Sequence, residues 1–179
     1  MSTETINICI PVFNEERNLE NLYKELSEFV SSASKKLDIN FEIIFFDDGS
    51  TDDSRRIIES FRNAKLIFNH ENKGLGNAIK QLILYTKSSE AIGMFKIDGD
   101  GQMDIKDIEI FLKNNRYKKY DVIYGNRFHK KSNYKMPFLR RFGSIFFKLL
   151  MRLFSIKTSD PTNGFIYLSK KYVENSKII

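Results

Sequence analysis

A single cysteine occurs among the 179 residues, so a disulfide framework is excluded. Cys9 lies in the apolar run INICIPV (6–12), where we expect a small core residue. The N-terminus also lacks a basic start followed by a long apolar stretch, which a secretory signal peptide would show. We therefore expect a cytoplasmic protein, and its length suffices for one domain with a sizeable core.

Two common nucleotide-binding signatures are missing as well. The sequence has no G-x-x-x-x-G-K-[ST] loop, which argues against a P-loop nucleotide hydrolase. No G-x-G-x-x-G follows the first apolar run, which argues against a dinucleotide-binding fold. Zinc-finger spacing and aromatic-basic RNA-binding motifs are absent too, so we do not expect a nucleic-acid partner.

Charge is unevenly distributed along the chain. Residues 1–110 carry 13 Lys and Arg against 20 Asp and Glu, a net of −7. Residues 111–179 carry 16 Lys and Arg against 3 Asp and Glu, a net of +13, and the total is +6. A basic last third favours a phosphate-rich partner, either an anionic membrane or a nucleic acid, and a solvated lysine-rich surface is the alternative. The acidic front part would repel a nucleic acid.

Apolar runs alternate with amphipathic ones, which predicts strands and helices in turn. The predicted strands cover 6–12, 41–46, 65–69, 91–97 and 121–125. The predicted helices cover 15–37, 51–61, 76–87 and 104–115. Asn14 is the expected cap of the first helix, and Asp52 and Asp53 are expected in the first turn of the second. This order is typical of an α/β fold with a mainly parallel, Rossmann-like sheet flanked by helices.

Polar residues follow every predicted strand. In a parallel sheet the carboxyl ends of the strands share one edge, and ligands bind there. The polar segments are 11–15, 47–50, 69–74, 98–102 and 125–127. Single Asp, Asn and Gly residues are ordinary turn residues, but five such segments in succession predict a binding site.

The segment KIDGDGQMD (96–104) predicts a metal site. Asp98 and Asp100 point the same way in extended geometry, and two such carboxylates repel unless a cation lies between them. Mg²⁺ or Mn²⁺ prefers oxygen ligands and leaves positions for substrate phosphates, and Gln102 would add a neutral oxygen. The segment KGLGNA (73–78) would let the backbone approach a phosphate at a helix start, so Lys73 joins the predicted binding residues.

Six segments of the sequence resemble family 2 glycosyltransferases in their order and spacing. They are IPVFNEERNL, FFDDGSTDDS, NKGLGNA, KIDGDGQMDIKDI, DVIYGNRF and DPTNGFIYLSKK. The resemblance runs from about residue 6 to about residue 172 and is greatest to the branch that includes dolichol-phosphate mannose synthase and other polyprenyl-phosphate sugar transferases. It implies the GT-A fold, with residues 1–179 as a single nucleotide-sugar-binding catalytic domain. In the family an acidic element follows the "GF" pair by a couple of dozen residues, near or beyond Ile179, so we expect a shortened chain or an unusually short protein.

The resemblance implies a nucleotide-binding role for one group of residues. Pro11, Phe13 and Glu15 match the family's first nucleotide-contacting segment, although Phe13 stands where tyrosine is usual. Asp48 matches the acid that binds the base or ribose, and Asp47 lies beside it.

A second group matches the family's reactive centre. Asp98 and Asp100 match the metal and diphosphate motif, and Gln102 matches a residue that joins the metal shell in the polyprenyl branch. Arg127 matches an arginine that we expect to hold a donor or acceptor phosphate. We assign the catalytic role to Asp100 and Arg127.

The function implied by the resemblance is an inverting, metal-dependent transfer of a sugar from a nucleotide-diphosphate sugar to a polyprenyl-phosphate-type lipid. A lipid phosphate is already ionised at neutral pH, which agrees with the lack of an obvious general base in the sequence. Two alternatives stay open. One is transfer to a hydroxyl group of a cell-surface polysaccharide, and the other is a non-catalytic module that binds nucleotides or nucleic acid.

Residues 128–157 combine many basic with many large apolar side chains. The apolar residues recur at three- and four-residue steps, which predicts a basic amphipathic helix. Lys148 and Arg152 interrupt the apolar stretch, which is too short and too charged to span a bilayer. We expect this segment to lie on an anionic membrane, as a peripheral contact at its cytoplasmic face. A helix packed on the sheet with a solvated basic face is the alternative.

Overall fold

The computed structural model describes residues 4–101, 103–112, 115–125 and 164–176. The strands in these ranges are β1 (Glu4–Val12), β2 (Ile39–Asp48), β3 (Ala64–Asn69), β4 (Gly93–Lys96), β5 (Val122–Tyr124) and β6 (Ile166–Ser169). The helices are α1 (Leu19–Leu37), α2 (Ser54–Glu59), α3 (Leu75–Ser88), α4 (Asp107–Leu112), α5 (Arg116–Lys119) and α6 (Lys170–Asn175). The α/β alternation predicted from the sequence is confirmed.

The strands form one sheet in the order β3-β2-β1-β4-β6-β5. β1 pairs in parallel with β2 and β4, and β2 pairs in parallel with β3. β6 runs antiparallel to both of its neighbours, β4 and β5. The sheet is therefore mainly parallel, as predicted, and the carboxyl ends of β1, β2 and β4 meet at one edge.

Both faces of the sheet are buried, as is usual where helices cover a parallel sheet. In β1, Ile6, Ile8 and Ile10 belong to a core cluster that includes the apolar side of α1. Cys9 packs in a second cluster with residues of α3, and it is fully buried, which confirms the predicted core position. Because both faces are covered, the strand reads as a continuous apolar run rather than an alternating one.

Three helices, α1, α2 and α4, begin later than predicted, and α4 begins at Asp107 instead of residue 104. α1 begins at Leu19 with Asn18 before it, so the prediction that Asn14 caps this helix is wrong. Asn14 adopts a left-handed backbone conformation, with φ of 56°, and its side chain accepts a hydrogen bond from the Thr51 backbone. α2 begins at Ser54, so Asp52 precedes the helix. Asn14 and Asp52, which the sequence pattern assigned to helix starts, therefore form hydrogen bonds between two loops.

The strand β6 and the helices α5 and α6 were missing from the prediction. Four residues are too few for a periodic signal, although Tyr167 of β6 is among the largest fully buried side chains. The chain turns directly from β6 into α6, where the Lys170 ammonium donates to the carbonyl oxygens of Thr86, Lys87 and Ser89 at the end of α3. Among the helices in the described ranges, none has the length and apolar character needed to cross a membrane.

Candidate functional site

A cavity of about 320 Å³ lies at the carboxyl edge of the sheet, where the sequence predicted a site. Its walls come from the ends of β1, β2 and β4 and from the start of α3. The lining residues are Pro11, Val12, Phe13, Glu15, Asp48, Asn72, Leu75, Ala78, Asp98, Gly99 and Asp100. Six of the predicted site residues are brought together here: Pro11, Phe13, Glu15, Asp48, Asp98 and Asp100.

The charge of this lining has one sign. Glu15, Asp48, Asp98 and Asp100 are acidic, and no Lys, Arg or His belongs to the described part of the wall. Four carboxylates around one small volume repel one another and also repel any anionic ligand. The cavity is therefore suited to a cation, or to an anion that brings a cation with it.

Asp48 is buried at the end of β2, with its carboxylate fixed by two neighbours. The Asn69 side-chain amide donates to Oδ1 at 2.7 Å. The backbone N–H of Lys73 donates to both carboxylate oxygens, at 3.1 and 3.2 Å. A carboxylate offers about four lone-pair positions, so Asp48 retains acceptor capacity toward the cavity. Lys73 thus acts on the site through its backbone, and its side chain is not part of the cavity wall.

Asp47 occupies the adjacent position but does not line the cavity. Its Oδ1 accepts a hydrogen bond from the Ser50 backbone at 3.0 Å, which closes the turn after β2. Gly49 in this turn has a φ of 71° and lies against the Glu71 backbone, where a Cβ atom would overlap the chain. Asp47 therefore shapes the loop that follows Asp48, and its predicted contact with a nucleotide stays a prediction.

The loop after β1 is tied to the loop after β2. The backbone N–H of Asn14 donates to the Ser50 hydroxyl at 3.0 Å, and the Thr51 N–H donates back to the Asn14 side chain at 2.8 Å. These reciprocal bonds hold the backbone on either side of the cavity rim. Phe13 and Glu15 flank Asn14 and line the cavity, so the hydrogen bonds of Asn14 help to position them.

Asp52 strengthens the same junction. Its carboxylate accepts hydrogen bonds from the backbone N–H groups of Glu16 at 3.1 Å and Ser54 at 2.9 Å. Partial burial acts to raise the pKa of Asp52, but the hydrogen bonds from Ser54 and Glu16 outweigh it and lower the pKa below its ordinary value. Asp52 is therefore a structural carboxylate that joins two loops, beyond the helix-start role expected from the sequence.

Two apolar side chains stand at the mouth of the cavity. Phe13 is 44% exposed and Leu75 is 57% exposed, and both line the cavity, so apolar surface is available to a ligand there. Asn72, Leu75 and Ala78 were not among the predicted site residues, although the polar segment 69–74 contains Asn72 and KGLGNA (73–78) contains the other two. Phe13 and Leu75 give the cavity wall an apolar part against which a ligand could pack.

Asp98 is held by residues from two other parts of the site. Lys96, the last residue of β4, forms an ion pair with Oδ1 of Asp98. Gly164 lies against Oδ2, so close that a Cβ atom at position 164 would overlap the carboxylate. The Asp98 backbone N–H also points at Sδ of Met103, at 3.4 Å. Lys96 was not predicted as a site residue, although it is the first residue of the segment 96–104, two positions before Asp98.

A divalent cation fits the donor set of Asp98 and Asp100. Both carboxylates line the same cavity. Within the described ranges, no cluster of three His, Cys, Asp or Glu residues forms a metal cage made by protein alone. Mg²⁺ is commonly held by one or two carboxylates together with substrate phosphates, so two acids meet this requirement. Gln102 and Arg127, like the segment 128–157, lie outside the described residues, and their predicted roles stay predictions.

Solved structures with the same architecture are GT-A glycosyltransferases. Glucosyl-3-phosphoglycerate synthase from Mycobacterium tuberculosis, in complex with Mn²⁺ and UDP-glucose, matches with a TM-score of 0.64 and 19% identity, over 94% of this chain and 57% of that one. Mannosyl-3-phosphoglycerate synthase from Rubrobacter xylanophilus matches with a TM-score of 0.65 and 12% identity, over 94% and 54%. At such identities the likeness establishes the fold, which is GT-A.

Sequence relatives agree with this fold. Dolichyl-phosphate beta-glucosyltransferase of Dictyostelium discoideum is 26% identical over 174 residues, which cover 89% of this chain and 52% of that protein. Glycosyltransferase GlyG of Streptococcus pneumoniae serotype 4 is 30% identical over 130 residues, or 71% and 40% of the two chains. The chain thus spans about half the length of the first of these relatives, and less of the second. The model of glycosyl transferase family 2 matches residues 7–176, and the chain belongs to that family.

Proposed function

We propose that this protein transfers a sugar from a nucleotide-diphosphate sugar, and that Asp98 and Asp100 hold a Mg²⁺ or Mn²⁺ ion against the donor's diphosphate. The observation that carries the proposal is the acidic cavity at the carboxyl edge of a GT-A sheet. Membership of glycosyl transferase family 2 supports the reaction class. The fold neighbour solved with Mn²⁺ and UDP-glucose supports the donor and the metal.

Charge explains why the donor would require a metal. A diphosphate brings at least two negative charges into a cavity whose described wall already carries four carboxylates, of which Asp98 is paired with the Lys96 ammonium. The repulsion between like charges a few ångströms apart amounts to several kcal/mol at the dielectric of a protein surface. A divalent cation between Asp98, Asp100 and the diphosphate turns this repulsion into attraction. When bound, the ion would also stabilise the nucleoside diphosphate as it leaves.

The remaining wall suits the nucleoside. Asp48 presents a carboxylate whose position is fixed by Asn69 and Lys73, and it has acceptor capacity left for a ribose hydroxyl or a base N–H. Phe13 and Leu75 offer exposed apolar surface at the mouth for the flat faces of the base and sugar. We assign Asp48 to donor recognition and the two apolar residues to its enclosure.

For the acceptor we propose a polyprenyl-phosphate-type lipid, attacked directly so that the anomeric centre inverts. The Dictyostelium relative, a dolichyl-phosphate beta-glucosyltransferase, supports this choice. An ionised phosphate is its own nucleophile and requires no general base from the protein. Arg127 would hold a donor or acceptor phosphate, and Gln102 would complete the metal shell, as the family resemblance implies. Glycosyltransferase GlyG supports the broader reaction class without naming a lipid.

A transfer assay tests this proposal. The protein is incubated with radiolabelled UDP-glucose or GDP-mannose and with vesicles that contain a polyprenyl phosphate, and label is counted in the organic phase. We expect labelled lipid in Mn²⁺ or Mg²⁺, none in EDTA, and a loss of at least ~100-fold in Asp100→Ala. Asp53→Asn is the matched control, because Asp53 pairs with Arg56 outside the cavity wall. Transfer that is unaffected by EDTA would overturn the metal assignment, and label only in a polysaccharide acceptor would favour the hydroxyl alternative.

We further propose that residues 128–157 dock the protein on an anionic membrane and bring the site to its lipid acceptor. The segment holds 8 of the 16 Lys and Arg residues of the basic last third. Co-sedimentation with phosphatidylglycerol vesicles at low salt tests this proposal, with phosphatidylcholine vesicles as the control. We expect binding that weakens as salt rises and that Lys148→Glu with Arg152→Glu reduces. Equal binding to both vesicle types would contradict an electrostatic contact.

A further inference from the structure

Lys96 is a buried cation directly beside the proposed metal site. It ends β4 between Cys9 of β1 and Ile166 of β6 in the sheet register, and its side chain is only 7% exposed. The lysine is not part of the cavity wall. Its ammonium forms an ion pair with Asp98, whose side chain is 34% exposed. The two partners therefore differ in their access to water.

This difference leaves Lys96 dependent on Asp98. A buried ammonium loses most of its hydration, and the ion pair with the Asp98 carboxylate is the main interaction that offsets this loss. Asp98 depends less on Lys96, because it also lines the cavity and can contact water or a cation there. A divalent ion on Asp98 would also lie within a few ångströms of the ammonium, and two positive charges at that distance repel.

We propose that Lys96 competes with the divalent cation for Asp98, so that the ion binds weakly to the empty site and tightly only together with the donor's diphosphate. The inference rests on the proposed function, because it assigns Asp98 to the metal. The diphosphate supplies the additional oxygen ligands and negative charge that outweigh Lys96. Lys96 is thus a positioning residue that couples metal binding to donor binding and keeps Asp98 neutralised in their absence.

The test is a Mn²⁺ titration of the full chain, in which the paramagnetic resonance signal of free Mn²⁺ is measured without nucleotide. Lys96→Met removes the charge and retains a linear side chain of similar length. We expect Lys96→Met to bind Mn²⁺ alone about tenfold more tightly than the wild type, while Lys96→Arg, which retains the charge, stays near the wild type. The gain should vanish in Lys96→Met with Asp98→Asn. With saturating UDP or GDP the difference between wild type and Lys96→Met should shrink.

The outcomes separate this inference from the proposed function. If the wild type binds Mn²⁺ in the presence of UDP or GDP, but Lys96→Met is no tighter than the wild type without nucleotide, the competition is overturned and the donor site stands. If neither protein binds Mn²⁺ under any of these conditions, both proposals fall. Circular dichroism checks the fold, and Lys96→Gln is a second neutral variant. Unfolding of both neutral variants would show that Lys96 serves the fold alone, which also overturns the inference.

Discussion

Gly164 and Asp98 are in direct contact although 65 residues separate them in the sequence. The backbone at Gly164 lies so close to Oδ2 of Asp98 that a Cβ atom there would overlap the carboxylate. Gly164 stands just before β6, the strand that pairs antiparallel with β4. The late part of the chain therefore helps to fix the first acid of the proposed metal site.

We expect Gly164→Ala to displace Asp98 and weaken both stability and metal binding. Overpacking of this kind typically costs about 1–3 kcal/mol of the free energy of unfolding. Chemical denaturation and the Mn²⁺ titration with UDP or GDP measure the two effects. Gly76→Ala is the matched control for stability alone, because no atom beyond its own stretch of α3 lies within 4 Å of its Cβ position and alanine favours a helix. A Gly164→Ala protein with wild-type stability and metal binding would contradict the role assigned to this contact.

The Lys96–Asp98 ion pair predicts unequal losses from its two partners. Asp98→Ala leaves the buried Lys96 ammonium without its carboxylate partner. We expect this variant to lose about 1–3 kcal/mol of the free energy of unfolding. Lys96→Met leaves a carboxylate that water can reach, so stability should stay within about 1 kcal/mol of the wild type. Urea denaturation of both variants measures the asymmetry. If both variants lose the same free energy of unfolding, the burial of Lys96 is not the cause of the predicted difference.

Cys9 provides a probe of the core because it is the only cysteine in the sequence. It is fully buried, and burial raises the pKa of its thiol to about 12. At pH 8 only about one thiol in ten thousand is then ionised, so reaction with a disulfide reagent should be far slower in the native protein than in urea. Since the folded pKa is raised, the thiol's contribution to stability holds below pH 9 and is lost as the pH rises toward 12. Rapid labelling without unfolding would contradict the burial.

Asp52 predicts a pH dependence in the acid range. Its pKa in the folded protein is lowered, so its contribution to stability is present above the unfolded value of about 3.9 and is lost as the pH falls through the folded value. We therefore expect the difference in free energy of unfolding between wild type and Asp52→Asn to shrink between pH 5 and pH 2. Urea denaturation at several pH values measures this difference. A difference that stays constant over that range would show that the charge of Asp52 does not stabilise the loops.

Much of the fold was predictable because long apolar runs and amphipathic stretches carry strong periodic signals. β1, β2 and α1 are of this kind. The location of the site followed from one rule, since the carboxyl ends of parallel strands share an edge, and Asp48, Asp98 and Asp100 do lie on one cavity there. β6 was missed because four residues carry no period, and its antiparallel place beside β4 depends on tertiary contacts alone.

The details of the site depended on contacts that a sequence does not display. Asp47 and Asp48 are adjacent, yet only Asp48 lines the cavity. The Asp47 carboxylate instead accepts a hydrogen bond from the Ser50 backbone N–H in the turn after β2. Lys73 contributes a backbone N–H rather than its charge. Lys96 looked like an ordinary residue of a strand, and its ion pair with Asp98 emerged only from the geometry.

The proposed function depends on Asp98 and Asp100, which would hold a divalent cation on the diphosphate of a nucleotide sugar. Anomalous diffraction from crystals soaked with Mn²⁺ and UDP or GDP tests it most directly. We expect a manganese peak in contact with both carboxylates and with the diphosphate, and no such peak in Asp100→Ala crystals. A diphosphate bound in the cavity without manganese, or manganese bound away from Asp98 and Asp100, would contradict it.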